Sequence, residues 1–347
     1  MLQHRLHSKN VTRVDRSQKI RENPLFDIRV ALICDEMTYR CFEGLCKNIL
    51  LTPQNWKKEL EGFQPDLFFC ESAWSGTIEQ RECWRYRIYA NHNLFFDNRR
   101  ELKSILGYCA RTEIPTIFWN KEDPTFFSDD AHCFSDTALL FDHVFTTAAE
   151  CIPKYLQKGA NSVNLLSFGY PQHLFYPLPG EFDSNRAVFF GSWYADHPQR
   201  CQDMESIFDF VLSEGMKLEI YDRYAGTRNK RNRYPQKYLP YIRASVPYDK
   251  IRETIGRPCF AININTVTKS MTMFSRRVFE LMACGCVIIS NESLGLSDRF
   301  GSNIWFLDTE FDKGCVDQIR LENMQQVQRY DTWEQRLKSV FEQTGFA

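Results

Sequence analysis

No stretch of the chain approaches the ~18 consecutive apolar residues that a membrane-spanning helix requires. The first twenty residues are polar and hold no apolar core of the kind a secretory signal carries. Together these absences predict a soluble, cytoplasmic protein. Gly-x-Gly-x-x-Gly is missing, which argues against a usual dinucleotide fold, and the P-loop pattern is missing too. Neither Gly-x-Ser-x-Gly nor His-Glu-x-x-His occurs. No two aspartates are spaced Asp-x-Asp. Thirteen cysteines include no Cys-x-x-Cys pair, the closest being Cys284-Gly-Cys286, so zinc has no paired-ligand spacing to support it. An odd number of unpaired thiols predicts reduced cysteines acting as small apolar residues in a reducing compartment. No metal and no cofactor are expected. The net charge of −1 leaves no basic excess for general nucleic-acid binding, so no nucleic-acid partner is expected.

What is present points to a globular α/β protein. The 347 residues are enough for two domains, and 43% hydrophobic against 25% charged residues can build two cores. Residues 1–26 form a basic arm in which Arg5, Lys9, Arg13, Arg16, Lys19 and Arg21 outnumber Asp15 and Glu22. It is read as a solvated leader or linker, with peripheral contact to an anionic inner-membrane surface as the functional alternative.

Residues 27–172 alternate short apolar runs with helix-length segments, the pattern of a parallel sheet covered on both faces. The runs are Ile28–Cys34, Asp66–Cys70, Pro115–Trp119, Asp142–Thr146 and Val163–Ser167, with helices expected near Tyr39–Asn48, Asn98–Arg111 and Ala148–Lys158. Ligands of such sheets bind beyond the carboxyl ends of the strands, so the following loops matter most. They carry Asp35 and Glu36, then Glu71 with Trp74 and Gly76, then Asp123. Carboxylates at strand ends often cap the next helix; converging on one edge, they would line a cleft.

Pro177, Pro179 and Gly180 mark residues 173–185 as a linker. Residues 186–330 repeat the alternation: strands at Ala187–Phe190, Lys217–Tyr221, Cys259–Asn265 and Ile304–Leu307, and a helix at Pro198–Ser213. Gly191 follows the first of these strands, where a backbone can approach a phosphate closely. Residues 331–347 read as a terminal helix with Trp333, Leu337, Val340 and Phe341 on one face.

The stretch Ser270–Ser290 organises the rest. Ser275 is a plausible N-cap, and Arg276 and Arg277 follow in the first helical turn. Cations there oppose the helix dipole by roughly 0.3–1 kcal/mol each. A bound anion would reverse that sign, and Glu280 one turn on could accept hydrogen bonds from sugar hydroxyls. The alternative is a surface helix whose arginines pair with carboxylates.

Thr272–Ser290 resembles the C-terminal signature of two-domain GT-B glycosyltransferases. It is most similar to the CgeB-like spore-maturation branch, whose Arg-x-Phe-Glu-x-x-Ala-x-Gly pattern is met by Arg277, Phe279, Glu280, Ala283 and Gly285. Phe189–Ser192, His173–Pro177, Ile114–Trp119 with Asp123, and Phe141–Thr146 resemble other parts of that family. The resemblance implies two Rossmann-like domains facing a central cleft, with the C-terminal helix crossing back to the first. It implies a nucleotide-diphosphate sugar as substrate, held by the second domain. Glu280 would bind the ribose. Arg276, Arg277 and the helix start at Ser275 would hold the diphosphate, with Gly191 and Ser192 beside it. Arg223 and Tyr248 would lie near the base, and Ser270 and Thr272 would be further donor-binding residues. Many relatives carry a second glutamate where this chain has Thr272, so the grip on the sugar and the stereochemistry stay open.

The expected reaction is therefore sugar transfer to an acceptor hydroxyl on a glycan or small molecule, without a metal, in bacterial cell-surface glycan or polysaccharide synthesis. Asp35 and Asp123 are the catalytic candidates for taking the acceptor proton, with Glu36, Glu71, Trp74 and Gly76 lining the acceptor side. Two other readings stand beside it. One is a phosphorylase or a phosphoribosyl or polyol-phosphate transferase of capsule or wall-polymer synthesis. The other is a non-catalytic scaffold that binds a nucleotide or glycan. The sequence sets no oligomeric state.

Overall fold

The computed structural model describes residues 24–227, 230–307 and 309–345. The basic arm expected over residues 1–26 lies outside them up to residue 23. The chain divides into two units. The first takes in the described residues up to Thr146, then Cys151–Leu166, then Leu337 onwards; the second takes in Thr147–Glu150 and Ser167–Arg336.

The first unit is built on six strands: β1 (Arg29–Ile33), β2 (Lys47–Leu50), β3 (Leu67–Glu71), β4 (Thr116–Asn120), β5 (His143–Thr146) and β6 (Val163–Leu165). They form one sheet in the order β2-β1-β3-β4-β5-β6, with every neighbouring pair parallel. Parallel neighbours need crossover connections. These contain α1 (Glu36–Phe42), α2 (Trp56–Phe63), α3 (Arg100–Arg111), α4 (Phe134–Ala138) and α5 (Ile152–Gln157). In α3 the spacing of Leu102, Ile105 and Cys109 buries one stripe. All five residues of β3 and of β4 are buried, as central strands covered on both faces require.

The helix expected near Tyr39–Asn48 is a correction. It ends at Phe42, Gly44 turns the chain at φ +75°, and β2 follows. This strand is an edge of four partly exposed residues with no apolar alternation to announce it.

The second unit holds β7 (Asp183–Phe190), β8 (Lys217–Tyr221), β9 (Ile242–Arg243), β10 (Cys259–Asn263), β11 (Val287–Ser290) and β12 (Ile304–Phe306). Their order is β12-β11-β10-β7-β8-β9, all parallel. Read from the β9 edge this is third-second-first-fourth-fifth-sixth, the doubly wound order. The helices are α6 (Pro198–Ser213), α7 (Ile251–Ile255), α8 (Arg277–Ala283), α9 (Leu294–Phe300), α10 (Val316–Tyr330) and α11 (Trp333–Thr344), whose last turns from Leu337 belong to the first unit.

Strand alternation sorts the apolar residues of this sheet into two cores. Ala187, Phe189, Leu218, Phe260, Ile262, Val287 and Ile289 pack with Met204, Ile207, Phe208 and Val211 of α6. Val188, Cys259, Ala261, Cys286 and Ile288 pack on the other face with Val278, Leu281 and Met282 of α8. β7 begins inside the stretch read as a linker. Asp183 donates its N–H to the Pro258 carbonyl at 2.8 Å and its carboxylate pairs with Arg257, so polar residues extend the strand beyond its apolar part.

The thirteen cysteines are thiols rather than disulfides, and eleven of them are buried. Among the described residues no helix is long and apolar enough to cross a membrane. In each sheet the winding reverses once, between β1 and β3 and between β7 and β10. Such reversals open a crevice beyond the carboxyl ends of the strands.

Candidate functional site

At the reversal in the first unit, β1, β3 and β4 deliver Asp35, Glu71 and Lys121 to one point. The Lys121 ammonium lies 3.0 Å from an oxygen of each carboxylate. Asp35 also accepts the backbone N–H groups of Trp74, Ser75 and Gly76 at 2.8–3.0 Å. Burial pushes the Asp35 carboxyl up, but Lys121 and these three N–H groups outweigh it and hold it below its ordinary value. Glu71 is fully buried and accepts from the Asp35 N–H and the Thr38 hydroxyl. Burial pushes it up, Asp35 adds to the rise, and Lys121 opposes it without cancelling it.

Asp35 is thus an anchor for the loop at Trp74–Gly76 and is poorly tuned as a base. Gly76 serves the same loop at φ +93°, where an added Cβ would meet Gln80 and Trp84 at 3.2–3.3 Å. Glu36 is tied to Arg40 at 2.9 Å and to the Ile78 N–H.

Asp123 differs more sharply from expectation. It is fully buried and accepts hydrogen bonds from Asn120, Thr146 and Tyr155 at 2.6–3.0 Å. Burial raises its carboxyl to about 7. These partners make it a structural tie between β4, β5 and α5.

Its neighbour Glu122, absent from the sequence reading, is only partly buried. Burial raises the Glu122 carboxyl against the pull of Lys121 and of a hydrogen bond from Trp74. The Trp74 ring is caged edge-on by Tyr89, Phe126, His132 and Phe134 at 5.1–5.7 Å. Glu122 and Lys121 were hidden because their meaning depends on distant partners, Lys121 reaching Glu71 and Asp35 across 50 and 86 positions.

In the second unit α8 presents the basic pair. The helix starts at Arg277 with Arg276 as the flanking residue, one position later than a Ser275 cap would give; the Ser275 hydroxyl still accepts the Arg277 N–H at 3.3 Å. Glu280 is fully buried and takes Arg277 at 2.5 Å, Arg276 at 3.6 Å and the Tyr248 hydroxyl at 2.6 Å. Both guanidinium groups lie over the Tyr248 ring, at 5.4 and 6.0 Å from its centre. The arginines therefore do pair with a carboxylate, and it is the one on their own helix. Two guanidinium groups thus converge on one carboxylate.

The other expected donor residues are less uniform. Gly191 follows β7, but an added Cβ would sit 2.4 Å from the Phe189 ring, so internal packing already demands glycine. Ser192 beside it is buried, and its hydroxyl has no partner among the described residues. Ser270 donates to Glu150 at 3.1 Å and accepts the Thr272 and Met273 N–H groups. Thr272 donates to the Thr147 carbonyl and accepts the Ala149 N–H, both at 2.9 Å. These two hydroxyls hold the segment Thr147–Glu150. Arg223 is exposed in the turn after β8, where Asp222, Tyr224–Thr227, Arg233, Tyr234 and Leu239 line a cavity of about 250 Å³.

Against known proteins, residues 208–341 match a family model described as glycosyl transferase-like. No curated protein matches the chain in sequence. Among solved structures, an alpha-glucosyltransferase in complex with UDP-glucose and DNA containing an abasic site aligns with a TM-score of 0.57. It covers 91% of this chain and 98% of its own at 10% identity. A glycosyltransferase from Rickettsia africae gives 0.51, covering 91% and 97% at 11% identity. The DNA-modifying enzyme beta-glucosyltransferase gives 0.50, covering 91% and 99% at 12% identity.

The fold is GT-B. In this GT-B chain the glycosyl transferase-like segment contains Arg223, Tyr248, Ser270, Thr272, Ser275, Arg276, Arg277 and Glu280, and begins after Gly191 and Ser192.

Proposed function

We propose that this GT-B protein is a glycosyltransferase that moves a sugar from a nucleoside diphosphate to an acceptor hydroxyl. The carrying observation is the cluster on α8: two arginines, one buried glutamate and Tyr248 gathered within the glycosyl transferase-like segment. In the reaction the bond from the anomeric carbon to the diphosphate oxygen breaks and a bond to the acceptor oxygen forms. The departing diphosphate gains negative charge. Preorganised guanidinium groups stabilise that charge, which is the usual source of the largest rate gain. Arg276 and Arg277 fill this role in a metal-independent scheme, in keeping with the lack of any Asp-x-Asp pair in the sequence.

Donor binding then requires exchange. Incoming phosphates take the guanidinium groups, and Glu280, released from Arg277, turns to ribose hydroxyls. The acceptor proton passes to a carboxylate. Asp35 is held below its ordinary range and Asp123 is saturated inside the fold, so Glu122, raised and partly exposed, is the better-tuned base.

Two of the structural neighbours are described with UDP-glucose or as glucosyltransferases, so uridine nucleotides are the first donors to try. Neighbours that act on DNA do not transfer that acceptor here, because a net charge of −1 gives little pull on a phosphate backbone. A glycan or small molecule is the acceptor we favour. The finer affiliation with the CgeB-like branch rests on Arg277, Phe279, Glu280, Ala283 and Gly285, and with it the role in bacterial cell-surface glycan synthesis in the cytoplasm. One observation favours a non-catalytic nucleotide-binding scaffold as the second reading: the Glu280 carboxylate is already satisfied within the protein.

The test is thermal-shift titration with UDP, GDP, CDP, ADP and phosphoribosyl pyrophosphate, repeated on Glu280→Gln, followed by product assays with the matching sugar donors. A shift with one nucleoside diphosphate, weakened in the variant and accompanied by turnover, supports the transferase. Binding without product from any donor selects the scaffold. No shift with any nucleotide overturns both.

A further inference from the structure

Apart from the clusters above, the first unit brings His92, Cys133 and Asp136 together, with one donor atom of each lying within 4.8 Å of the others. We propose that these three side chains form a binding site for a zinc-class divalent ion. Thiolate, imidazole and carboxylate are the donor set that borderline-soft divalent metals favour. Metal bonds of about 2.0–2.3 Å place tetrahedral ligands roughly 3.3–3.8 Å apart, so closure requires a contraction of about 1 Å. His92, the exposed ligand, is the one with room to move.

The backbone already holds the ligands in place. Cys133 and Ala90 exchange both main-chain hydrogen bonds at 2.9 and 3.1 Å, and the His92 N–H donates to the Asp130 carbonyl at 2.8 Å. The segment carrying His92 is therefore pinned to the one carrying Cys133. Asp136 follows on the short helix α4, three positions after the cysteine.

The second shell fits as well. One Asp136 oxygen lies 3.1 Å from the His92 Nε2, and the other is taken by Lys158 at 2.8 Å. Such an outer partner fixes a ligating carboxylate in orientation. Lys158 also reaches Ser135, whose hydroxyl is 3.4 Å from the Cys133 sulfur, and Arg99 bonds Thr137 at 3.1 Å. These two cations raise the cost of a bare divalent ion. The Cys133 thiolate and Asp136 carboxylate bring two negative charges to offset it, the thiol proton leaving to solvent as the metal binds. Cys133 is buried while His92 faces water, so the fourth position is left to a water molecule on the histidine side.

His132 and Phe134, two walls of the cage around Trp74, flank Cys133 in sequence, and a third, Tyr89, lies three positions before His92. A metal here would staple that wall without touching the reacting groups.

The experiment is cobalt(II) titration of the full-length protein after chelator stripping, read by visible absorption, with zinc(II) thermal shifts in parallel. One equivalent of cobalt should give tetrahedral d–d bands and a thiolate-to-cobalt charge-transfer band. Cys133→Ser should abolish the charge-transfer band, His92→Gln should weaken binding at least tenfold, and the zinc-induced rise in Tm should disappear in both. Circular dichroism checks that the variants fold, and Cys201→Ser controls for the other thiols. If the wild-type protein binds no stoichiometric cobalt, or Cys133→Ser leaves the charge-transfer band unchanged, the proposal is overturned. The three side chains then make the His92–Asp136 contact and its neighbouring hydrogen bonds without a metal.

Discussion

The two charged clusters of this protein are built on opposite plans. In the first unit Asp35, Glu71 and Glu122 surround a single ammonium, that of Lys121, and the group is woven into backbone N–H donors. In the second, Arg276 and Arg277 share one carboxylate, and all three sit on one helical turn. An excess of carboxylates, two of which (Glu71 and Glu122) have raised proton affinity, suits groups that manage a proton. An excess of guanidinium suits an incoming anion. The first cluster also holds three strands together, whereas the second joins α8 to the segment at Tyr248, so damage to each should appear in different measurements.

Lys121→Met gives the largest expected effect. It strands the buried Glu71 carboxylate and the partly buried Asp35, and the loss should be about 3–5 kcal/mol of stability in urea unfolding. A loss below about 1 kcal/mol would mean that the carboxylates neutralise themselves and that the first cluster is no ionic anchor.

Next comes the pH dependence set by Asp123. Its folded value of about 7 lies above the ordinary 3.8, so between these limits the folded chain keeps a proton that the unfolded chain releases. The associated stability is fully present below about pH 4 and is lost as pH rises through about 7, on the order of 2–4 kcal/mol. The difference in urea midpoint between wild type and Asp123→Asn should therefore change sharply with pH. A constant difference would show that Asp123 stays ionised.

Gly191→Ala should cost about 1–3 kcal/mol, because the new methyl group meets the Phe189 ring. Phe189→Leu in the same background should recover part of it. An unchanged Tm with a raised donor KM would instead assign the glycine to the phosphates.

The smallest free-energy change has the clearest functional reading. Arg277→Ala should lower turnover at least tenfold, about 1.4 kcal/mol, with a smaller loss of stability than Lys121→Met. Near-normal kinetics in the folded variant would remove the catalytic difference between the two clusters.

The contrast also explains what the sequence could reveal. α6 and β8 were legible residue for residue, since Pro198 opens the helix, Gly215 follows its end and the strand alternates Leu218 and Ile220 with Lys217 and Glu219. The α8 cluster was legible because its members lie within one turn. Its Tyr248 contact, 32 positions away, lies outside that local pattern and adds to the arginine pairs that already engage Glu280. In the first unit local pattern fails. Asp35, Asp123 and Glu122 are carboxylates after strands, alike in sequence, and are separated only by what folds against them. Three backbone donors, a buried hydrogen-bond set and partial exposure beside Trp74 are tertiary facts. The edge strand β2 was lost for the same reason, as nothing but its pairing with β1 makes it a strand.

The discontinuity of the first unit bears on the order of synthesis. Leu337, Val340 and Phe341 are fully buried and belong to that unit, yet they are translated after the whole of the second. On the ribosome the usual order, in which the earlier domain finishes first, is therefore inverted. The later unit can close while the earlier one still waits for its last helix. Nascent chains stalled just before residue 337 should accordingly protect the β7–β12 sheet from protease and leave the β1–β6 sheet open to cleavage.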